Sequence, residues 1–547
     1  MSEGVGGGVR GAAPEAPGPE DPRASFTLTI LADFGAEPPA AAELRRVEAG
    51  EFQALFARLR PRLDLRTPDL VTGAPREISW SATLGSIRDF DPENLLGRFP
   101  PTAPLLAWRQ RLIEAARAGA GIPALLEAFD ELWPDVPSSP PGVTPRAAVA
   151  QPSRPAPAAD DFLALVDLPG TAPPAAGAAL PGAPAAPLGL RDRLRLLLGM
   201  TTPWEARLRQ ARTAVDEALG RQLEAILHDP ALRDREAAWR SLWAIVERAD
   251  LRRGDLRLFV LPASRAEVAE ALERLLLWHE EGGGRTAPGG AILVDHAVGP
   301  DEDSARILAA AARLAAALGA RLFLPTDASL LARGGDQATA RPAPIADLAS
   351  SESLAQIREA GATARAAGTD LVLTCNRFLF RAPYGPEEAP VLLGAYREKV
   401  ASPDGPFASA VWLAGRALTE TVRRAGPESA RTLDVARVER LAMRPLGRPD
   451  DPDHLLPLEF LLSVPEARLL LEAGLAPVTC DLDEDQALLR GIGGAAAAPD
   501  ARAQETAPRD AGSPSASLSA RFTMQTRPPE TASRDKGPRD TEEETPG

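Results

Sequence analysis

The sequence predicts an α/β protein in which two α/β blocks, with mixed or largely parallel sheets, are joined by a Pro/Ala-rich linker and flanked by disordered termini. In two parts of the chain, short apolar stretches of strand pattern are interleaved with longer stretches of helical period. Between and outside those parts, Pro and Gly are concentrated in a few stretches. With 547 residues, the chain is long enough for two or three domains with sizeable cores.

The first block, residues 25–135, follows residues 1–24, which are rich in Gly, Pro and acidic residues and predict disorder. A strand is predicted at SFTLTILADF, where alternate residues from Phe26 to Ala32 share an apolar face. In EFQALFARL the apolar residues follow the i, i+3, i+4, i+7 spacing of a helix, and EISWSATL alternates again. The block therefore begins with the order strand, helix, strand.

A helix start is predicted later in the same block. In RDFDPENLLGRF, Asp91 is expected to cap a helix whose first residue is Pro92, because the first helical position tolerates a missing N–H. The following stretch, APLLAWRQRLIEAARAG, places Leu106, Arg109 and Leu112 on related helical faces. The block closes near LLEAFDELW.

Residues 136–190 are rich in Pro and Ala and predict a linker, semi-extended where Pro is dense. Within this linker, DDFLALVDL at residues 160–168 is an apolar island with two open interpretations. It is either a chance cluster or a docking motif that becomes ordered on a partner. Residues 496–547 are rich in Ala, Pro, Ser and charged residues and predict a disordered tail.

The second block, residues 191–495, opens with a long predicted helix that ends at Pro230. In the next stretch, REAAWRSLWAIVERADLRR, Trp239 and Trp243 lie four residues apart on one apolar helical stripe. The main interpretation is a buried helix that anchors the core of the block. The alternative is a pair of exposed aromatic hot spots for a partner.

Strand and helix patterns alternate after this helix. LRLFVL, GGAILVDHAV, RLFLP and DLVLTC predict strands, and helical stretches with capping signals separate the first three of them. One of these helices is expected to stop at Gly319. This alternation is typical of a largely parallel sheet.

Charge and composition exclude several classes of partner. The formal net charge is −15 and no dense basic stripe is present, so no nucleic-acid partner is expected. No apolar run is long enough for a membrane span, and no apolar signal-peptide core is visible, so we expect no membrane insertion and a cytoplasmic location. The two Cys have no metal-ligand spacing and fit a reducing compartment.

The sequence contains no convincing catalytic or cofactor motif. The four His lack metal-binding spacing, and the Gly-rich EEGGGRTAPGG lacks the Gly-Lys-Ser/Thr of a phosphate loop, so no cofactor or metal is expected. The best catalytic candidates are Asp295 and His296 at a predicted strand end, but adjacent strand residues point to opposite faces. Cys375 is interpreted as a small buried residue. We therefore expect a protein that is not an enzyme and that acts in an assembly.

Four motifs of the second block resemble the large subunit of the type VI secretion contractile sheath. In LEAILHDPALRDREAAWRSLWAIVERADL, Trp239, Arg240 and Leu242 match, and Ser241 replaces the usual Gly. Asp295 matches in GGAILVDHAV, and LLPLEFLLSVPEARLLLEAGLAPVTC resembles the closing segment of the family. The segment LVLTCNRFLFRAPYG has Asn376 where Pro is expected, and its matching residues are Arg377, Phe378, Arg381, Pro383, Tyr384 and Gly385.

The first block resembles the small sheath subunit. TLTILADFG and EFQALFARLRPRLDLRTPD carry two weak motifs, and LGSIRDFDPENLLGRFPPTAPLLAWRQRL carries a third. The matching residues in the third are Leu84, Asp89, Phe90, Pro92, Leu106, Arg109 and Leu112. Because the two partner families follow each other along one chain, the sequence is interpreted as a fused small–large sheath protein.

This resemblance implies a structural protein of Gram-negative bacteria that does no bond chemistry. Family members form a helical tube around an inner tube, dock on a baseplate and contract to drive effector delivery. The implied partners are further copies or other sheath subunits, inner tube and baseplate proteins, and a recycling unfoldase ATPase. The core or interface candidates that it implies are Trp239, Arg240, Leu242, Trp243, Asp295, Arg377, Arg381, Pro383, Tyr384, Gly385, Asp89, Phe90, Pro92 and Arg109. The alternatives are a non-polymerising sheath-related accessory or adaptor protein and, remotely, an α/β enzyme.

Overall fold

The computed structural model describes residues 25–36, 43–71, 76–119, 121–132, 203–281, 290–332, 340–342, 355, 359, 370–387, 389–400, 402–448 and 451–493. The predicted disordered termini, the predicted linker with its island at 160–168, and residues 191–202 lie outside this part of the chain. All described residues belong to one compact unit.

The described strands are, in chain order, β1 Phe26–Ala32, β2 Arg45–Val47, β3 Arg62–Pro68, β4 Glu77–Thr83, β5 Leu256–Pro262, β6 Ala291–Val294, β7 Arg321–Pro325, β8 Leu371–Cys375, β9 Phe378–Leu379, β10 Phe407–Ala408, β11 Ala436–Val438, β12 Arg444–Arg448, β13 Asp451–Leu456, β14 Leu475–Thr479 and β15 Ala487–Leu489.

The described α-helices are α1 Phe52–Leu59, α2 Pro92–Arg98, α3 Ala103–Ala118, α4 Ile122–Leu132, α5 Pro203–Leu227, α6 Pro230–Arg248, α7 Val268–Glu281, α8 Glu302–Leu318, α9 Ser329–Ala332, α10 Val411–Ala425, α11 Pro427–Arg431 and α12 Val464–Glu472. None of them is long and apolar enough to cross a membrane.

A nine-stranded, mostly parallel sheet organises the molecule, in the order β11-β15-β14-β8-β7-β6-β1-β5-β2. The predicted α/β class is confirmed. The sequence predicted a sheet in each block, whereas the structure places β1 of the first block inside the sheet of the second. Phe26 pairs with Leu256 of β5, and Leu28 pairs with Ala291 of β6, both in parallel register.

The sequence of β1 explains its central place. All of its residues except Thr27 are buried. Phe26, Leu28, Ile30 and Ala32 pack into one core, while Leu31 packs into the core on the other face of the sheet. A strand that is apolar on both faces is stable only where helices or sheets cover both of them.

Helices cover both faces of the sheet. On one face, α10 packs closely on Ile245 of α6 and Leu293 of β6. Gly415 of α10 allows this close approach, because a Cβ at that position would overlap both side chains. On the other face, α7 and α8 pack against each other and against strand residues such as Leu322. The rest of the first block, with α1, the β3–β4 hairpin and α2 to α4, packs against α5 and α6.

Candidate functional site

The helix α6 carries an aromatic contact between the two blocks. Trp239 is fully buried, and its ring centroid lies 5.1 Å from Phe34, 5.7 Å from Phe52 and 4.2 Å from Phe56. Its indole Nε1–H donates to the carbonyl oxygen of Phe34 at 3.1 Å. All three phenylalanines belong to the first block, so Trp239 fixes α6 of the second block against it.

The second tryptophan of the pair has a different environment. Trp243 is 40% exposed and packs edge-on against Phe52, with ring centroids 4.8 Å apart. Leu242, next to it in sequence, is fully buried. The structure therefore divides the predicted pair into one buried core residue and one half-exposed residue.

A buried ionic cluster lies beside this aromatic contact. Glu236 is 1% exposed, and one of its oxygens, Oε1, accepts from Arg240 Nε at 2.7 Å and from Arg381 Nε at 3.0 Å. Arg240 lies one helical turn along α6, whereas Arg381 comes from the segment after β9. A carboxylate so deeply buried requires cationic hydrogen-bond partners, and both guanidinium groups supply them.

Arg381 connects Glu236 to a second buried carboxylate. Its two terminal nitrogens donate to both oxygens of Glu398, at 2.6 and 2.9 Å, and its guanidinium carbon lies 4.0 Å from the centre of the Tyr384 ring. Glu398 also accepts from the backbone N–H of Tyr384 at 2.8 Å. Although burial opposes the charge of Arg381, the attraction of Glu236 and Glu398 raises its pKa above the ordinary value.

The cluster reaches the first block through Asp91. Arg240 Nη2 donates to Asp91 Oδ1 at 3.1 Å and to the Tyr384 hydroxyl at 3.3 Å. Asp91 does precede α2, and Pro92 is its first residue, as the sequence predicts. The predicted side-chain cap is wrong, however, because the Asp91 carboxylate makes no capping bond and accepts from Arg240 instead.

The neighbouring motif residues shape the start of α2. Asp89 Oδ2 accepts from the backbone N–H groups of Gly85 and Ser86, at 2.6 and 3.1 Å, and Asp89 Oδ1 pairs with Arg98. Phe90 is fully buried. These contacts are internal to the first block, so Asp89 and Phe90 hold the turn that presents Asp91 to Arg240.

Two further side chains, Arg109 and Gln222, make polar contacts between the blocks. Arg109 of α3 is 4% exposed and donates from Nε to Asp216 and from Nη2 to the carbonyl oxygen of Leu392, both at 2.5 Å. Gln222 is fully buried, accepts from the Leu70 N–H at 2.9 Å and donates to the Pro68 carbonyl at 3.0 Å. These contacts fix α5 against α3 and the end of β3.

Other residues of the LVLTCNRFLFRAPYG motif act within the second block. Arg377 binds both oxygens of buried Glu459 at 2.7 Å, and the Ser402 hydroxyl donates to the same carboxylate at 2.5 Å. Asn376 has a left-handed φ of 74° and donates to the carbonyl oxygens of Phe460 and Val478, each at 2.9 Å. Asparagine tolerates this backbone conformation better than most residues.

Pro383 and Gly385 flank Tyr384 in the same motif. Pro383 is half-buried, and the Gly385 N–H donates to the carbonyl oxygen of Ala389 at 3.0 Å. Together they form the turn that holds Tyr384 against Arg381.

Asp295 and His296 have separate hydrogen-bond partners and do not bond to each other. Asp295 accepts from the Ser409 hydroxyl at 2.5 Å and from Trp412 Nε1 at 2.7 Å, while His296 Nε2 lies 2.9 Å from the carbonyl oxygen of Ala263. Burial raises the pKa of Asp295 to about 6 and that of Cys375 to about 12. Within the described residues, no cluster of three or more His, Cys, Asp or Glu side chains could hold a metal ion.

The sequence patterns did not indicate the carboxylates and the amide that complete these contacts. Glu236 carried a usable signal, because it lies at i+4 from Leu232 and at i−3 from Trp239, inside the apolar stripe of α6. A charged residue on a buried stripe indicates a paired charge. Glu398, Glu459 and Gln222 carried no comparable signal.

Two protein-family models match the chain. The first is VipB, described as EvpB/VC_A0108, tail sheath N-terminal domain, which matches residues 209–495. The second, described as Type VI secretion system, VipA, VC_A0107 or Hcp2, matches residues 21–136. No individual curated protein matches the chain. The aromatic and ionic contacts of α6 thus join the segment similar to VipA with the segment similar to VipB.

Proposed function

The chain belongs to the VipB tail sheath family, and we propose that it is a fused small/large sheath subunit of a type VI secretion system. In this proposal, copies of the chain assemble into a helical tube around an inner tube and contract to drive effector delivery. The protein has a structural role in the cytoplasm and is not an enzyme.

The observation that carries the proposal is the position of β1. A strand from the VipA-like segment lies between β5 and β6 of the VipB-like segment, paired in parallel with both. Removing it would expose the facing edges of β5 and β6 and open the core around Trp239. This arrangement supports the two segments acting as a single protomer, since neither has a complete sheet or core without the other.

Assembly requires surfaces that repeat from copy to copy. A heterologous contact that does not close into a ring generates a helical filament, which is the geometry that a contractile tube needs. We propose self-association, or association with other sheath subunits, as the first interaction of this chain. Inner tube proteins, baseplate proteins and a recycling unfoldase ATPase are its further proposed partners.

The second candidate function is a non-polymerising sheath accessory or adaptor protein. The two edge strands of the main sheet favour it, because β2 and β11 have only three residues each. Short edge strands offer few free N–H and C=O groups to a strand from another chain. A chain with such edges can bind the end of a sheath without extending it.

Negative-stain electron microscopy of the full-length protein, alone and with lysate of its source cells, separates the two candidates. A sheath subunit forms regular hollow tubules or cogwheel-like cross-sections in at least one sample. Monodisperse particles in both samples would contradict polymerisation and favour the accessory function. An Arg274→Met variant serves as a control, since Arg274 forms an exposed ion pair with Glu270 on α7, away from the contacts between the segments.

A further inference from the structure

A buried arginine of α10 has no carboxylate partner and only one hydrogen-bond acceptor. Arg416 of α10 is 7% exposed, and its Nη2 donates to the carbonyl oxygen of Glu439 at 3.0 Å. Its Nε is sealed from solvent without an acceptor. Its Nη1 has no acceptor among the described residues.

The other buried arginines have more hydrogen bonds or more opposite charge around them. Arg321 and Arg444, 7% and 5% exposed, form no ion pair either, but each donates to two backbone carbonyl oxygens and is attracted by at least one nearby carboxylate. Arg109, Arg377 and Arg381 each bind a carboxylate at 3.0 Å or less. Among the described residues, no carboxylate lies within ion-pairing distance of Arg416, and the neighbouring charge that acts on it is that of another arginine, Arg248. Burial and this like charge lower the pKa of Arg416 to about 10.

Two adjacent features make the place suitable for a negatively charged group. Thr419, one turn further along α10, has a buried hydroxyl without a hydrogen-bond partner. Glu439, whose carbonyl holds Arg416, directly follows the edge strand β11. Two unmatched donor groups therefore lie on the part of α10 that packs beside the edge strand β11.

We propose that Arg416 and Arg248 form a binding site for an oxyanion group, either a free anion such as phosphate or a carboxylate of a neighbouring copy of the chain. Both sources offer the oxygen pair that a guanidinium binds with two parallel hydrogen bonds. The bound group supplies the negative charge that the described residues lack at this position. With a free anion the site is independent of assembly, whereas with a carboxylate of a neighbouring copy it rests on the proposed function.

The test is thermal unfolding of the full-length protein in increasing inorganic phosphate, against sodium chloride of equal ionic strength. We expect a saturable rise in melting temperature of at least about 2 °C in the wild type. The rise is lost in Arg416→Met and needs several-fold more phosphate in Arg248→Met. The control Arg274→Met, which removes a partly exposed arginine of α7, keeps the full response.

No saturable rise in the wild type, or the same rise in all four proteins, would overturn the proposal. If Arg416→Met fails to fold, the comparison of Arg248→Met with Arg274→Met decides by itself.

Pelleting of assemblies then identifies the source of the group. Saturating phosphate dissociates the assemblies if the site holds a carboxylate of a neighbouring copy, and leaves them intact if it holds a free anion. A protein that never assembles but keeps the phosphate response contradicts the proposed function alone.

Discussion

The two contacts that α6 makes with the VipA-like segment differ in kind. Trp239 meets three phenylalanines in an apolar contact with one hydrogen bond, whereas Arg240, the next residue, meets Asp91 in an ionic contact supported by Glu236. Apolar contacts stabilise roughly in proportion to the area they bury and tolerate small shifts. Buried ionic contacts add little net stability but are costly to break.

This difference suggests separate roles for the two contacts. The aromatic contact supplies the free energy that holds the segments together. The ionic cluster specifies their alignment, because Arg240 and Arg381 find their carboxylates only when α6, α2 and the loop after β9 are correctly placed. The two roles predict different losses of stability on mutation.

Breaking the centre of the ionic cluster is expected to have the largest effect. Arg381→Met leaves Glu236 and Glu398 buried without their shared cation and lowers the free energy of unfolding by about 5 kcal/mol, the upper end of the range for a broken buried ion pair. Urea denaturation of the variant and the wild type measures this loss in the free energy of unfolding. Arg274→Met, which removes an exposed ion pair, changes the same quantity by less than about 1 kcal/mol. Equal losses in both variants would show that the cluster does not constrain the fold.

Breaking the aromatic contact comes next. Trp239→Ala removes a fully buried side chain and lowers the free energy of unfolding by about 4 kcal/mol. Trp239→Phe keeps much of the packing but leaves the Phe34 carbonyl without its donor, at a cost of about 1–2 kcal/mol. A loss in Trp239→Phe as large as that in Trp239→Ala would show that the hydrogen bond, and not the packing, is the main term.

Asp295 differs from Glu236 and Glu398 because it is a buried carboxylate without a cationic partner. Its pKa rises from an ordinary value of 3.8 to about 6, so the folded chain binds this proton more tightly than the unfolded chain. Its contribution to stability therefore falls as pH rises from about 4 to about 6 and is constant above that, a change of about 3 kcal/mol.

Asp295→Asn removes this titration. The free energy of unfolding is measured for both proteins at each pH and at constant ionic strength. The wild-type value minus the variant value isolates the contribution of Asp295 titration. We expect the difference to fall between pH 4 and pH 7. A flat or rising difference would show that the hydrogen bonds from Ser409 and Trp412 outweigh burial.

The smallest effect is expected at the half-exposed tryptophan. Trp243→Ala loses one edge-on contact with Phe52 and lowers the free energy of unfolding by about 1 kcal/mol. If Trp243 also forms a contact between copies, the variant loses assembly in electron micrographs while its unfolding midpoint changes little. A loss near that of Trp239→Ala would remove the distinction between the two tryptophans.

Local patterns predicted much of this fold. The alternation in β1, the helical stripe of α6, the start of α2 at Pro92 and the stop of α8 at Gly319 all follow from spacing and backbone preference. What could not be predicted depends on partners distant in sequence. Asp91 binds an arginine 149 residues away, and β1 pairs with β5 and β6 of the other segment. No local sequence pattern specifies which distant residue neutralises a buried charge or which distant strand pairs with an edge.

Cleaving the chain between its two segments tests whether they form a single shared protomer. A protease site introduced within residues 136–190 allows the folded full-length protein to be cut without changing either segment. We predict that the two pieces remain together in size-exclusion chromatography at high salt and separate only in denaturant, since β1 completes the sheet of the other segment. Separation in native buffer into two folded pieces, each with cooperative unfolding, would contradict the single shared protomer.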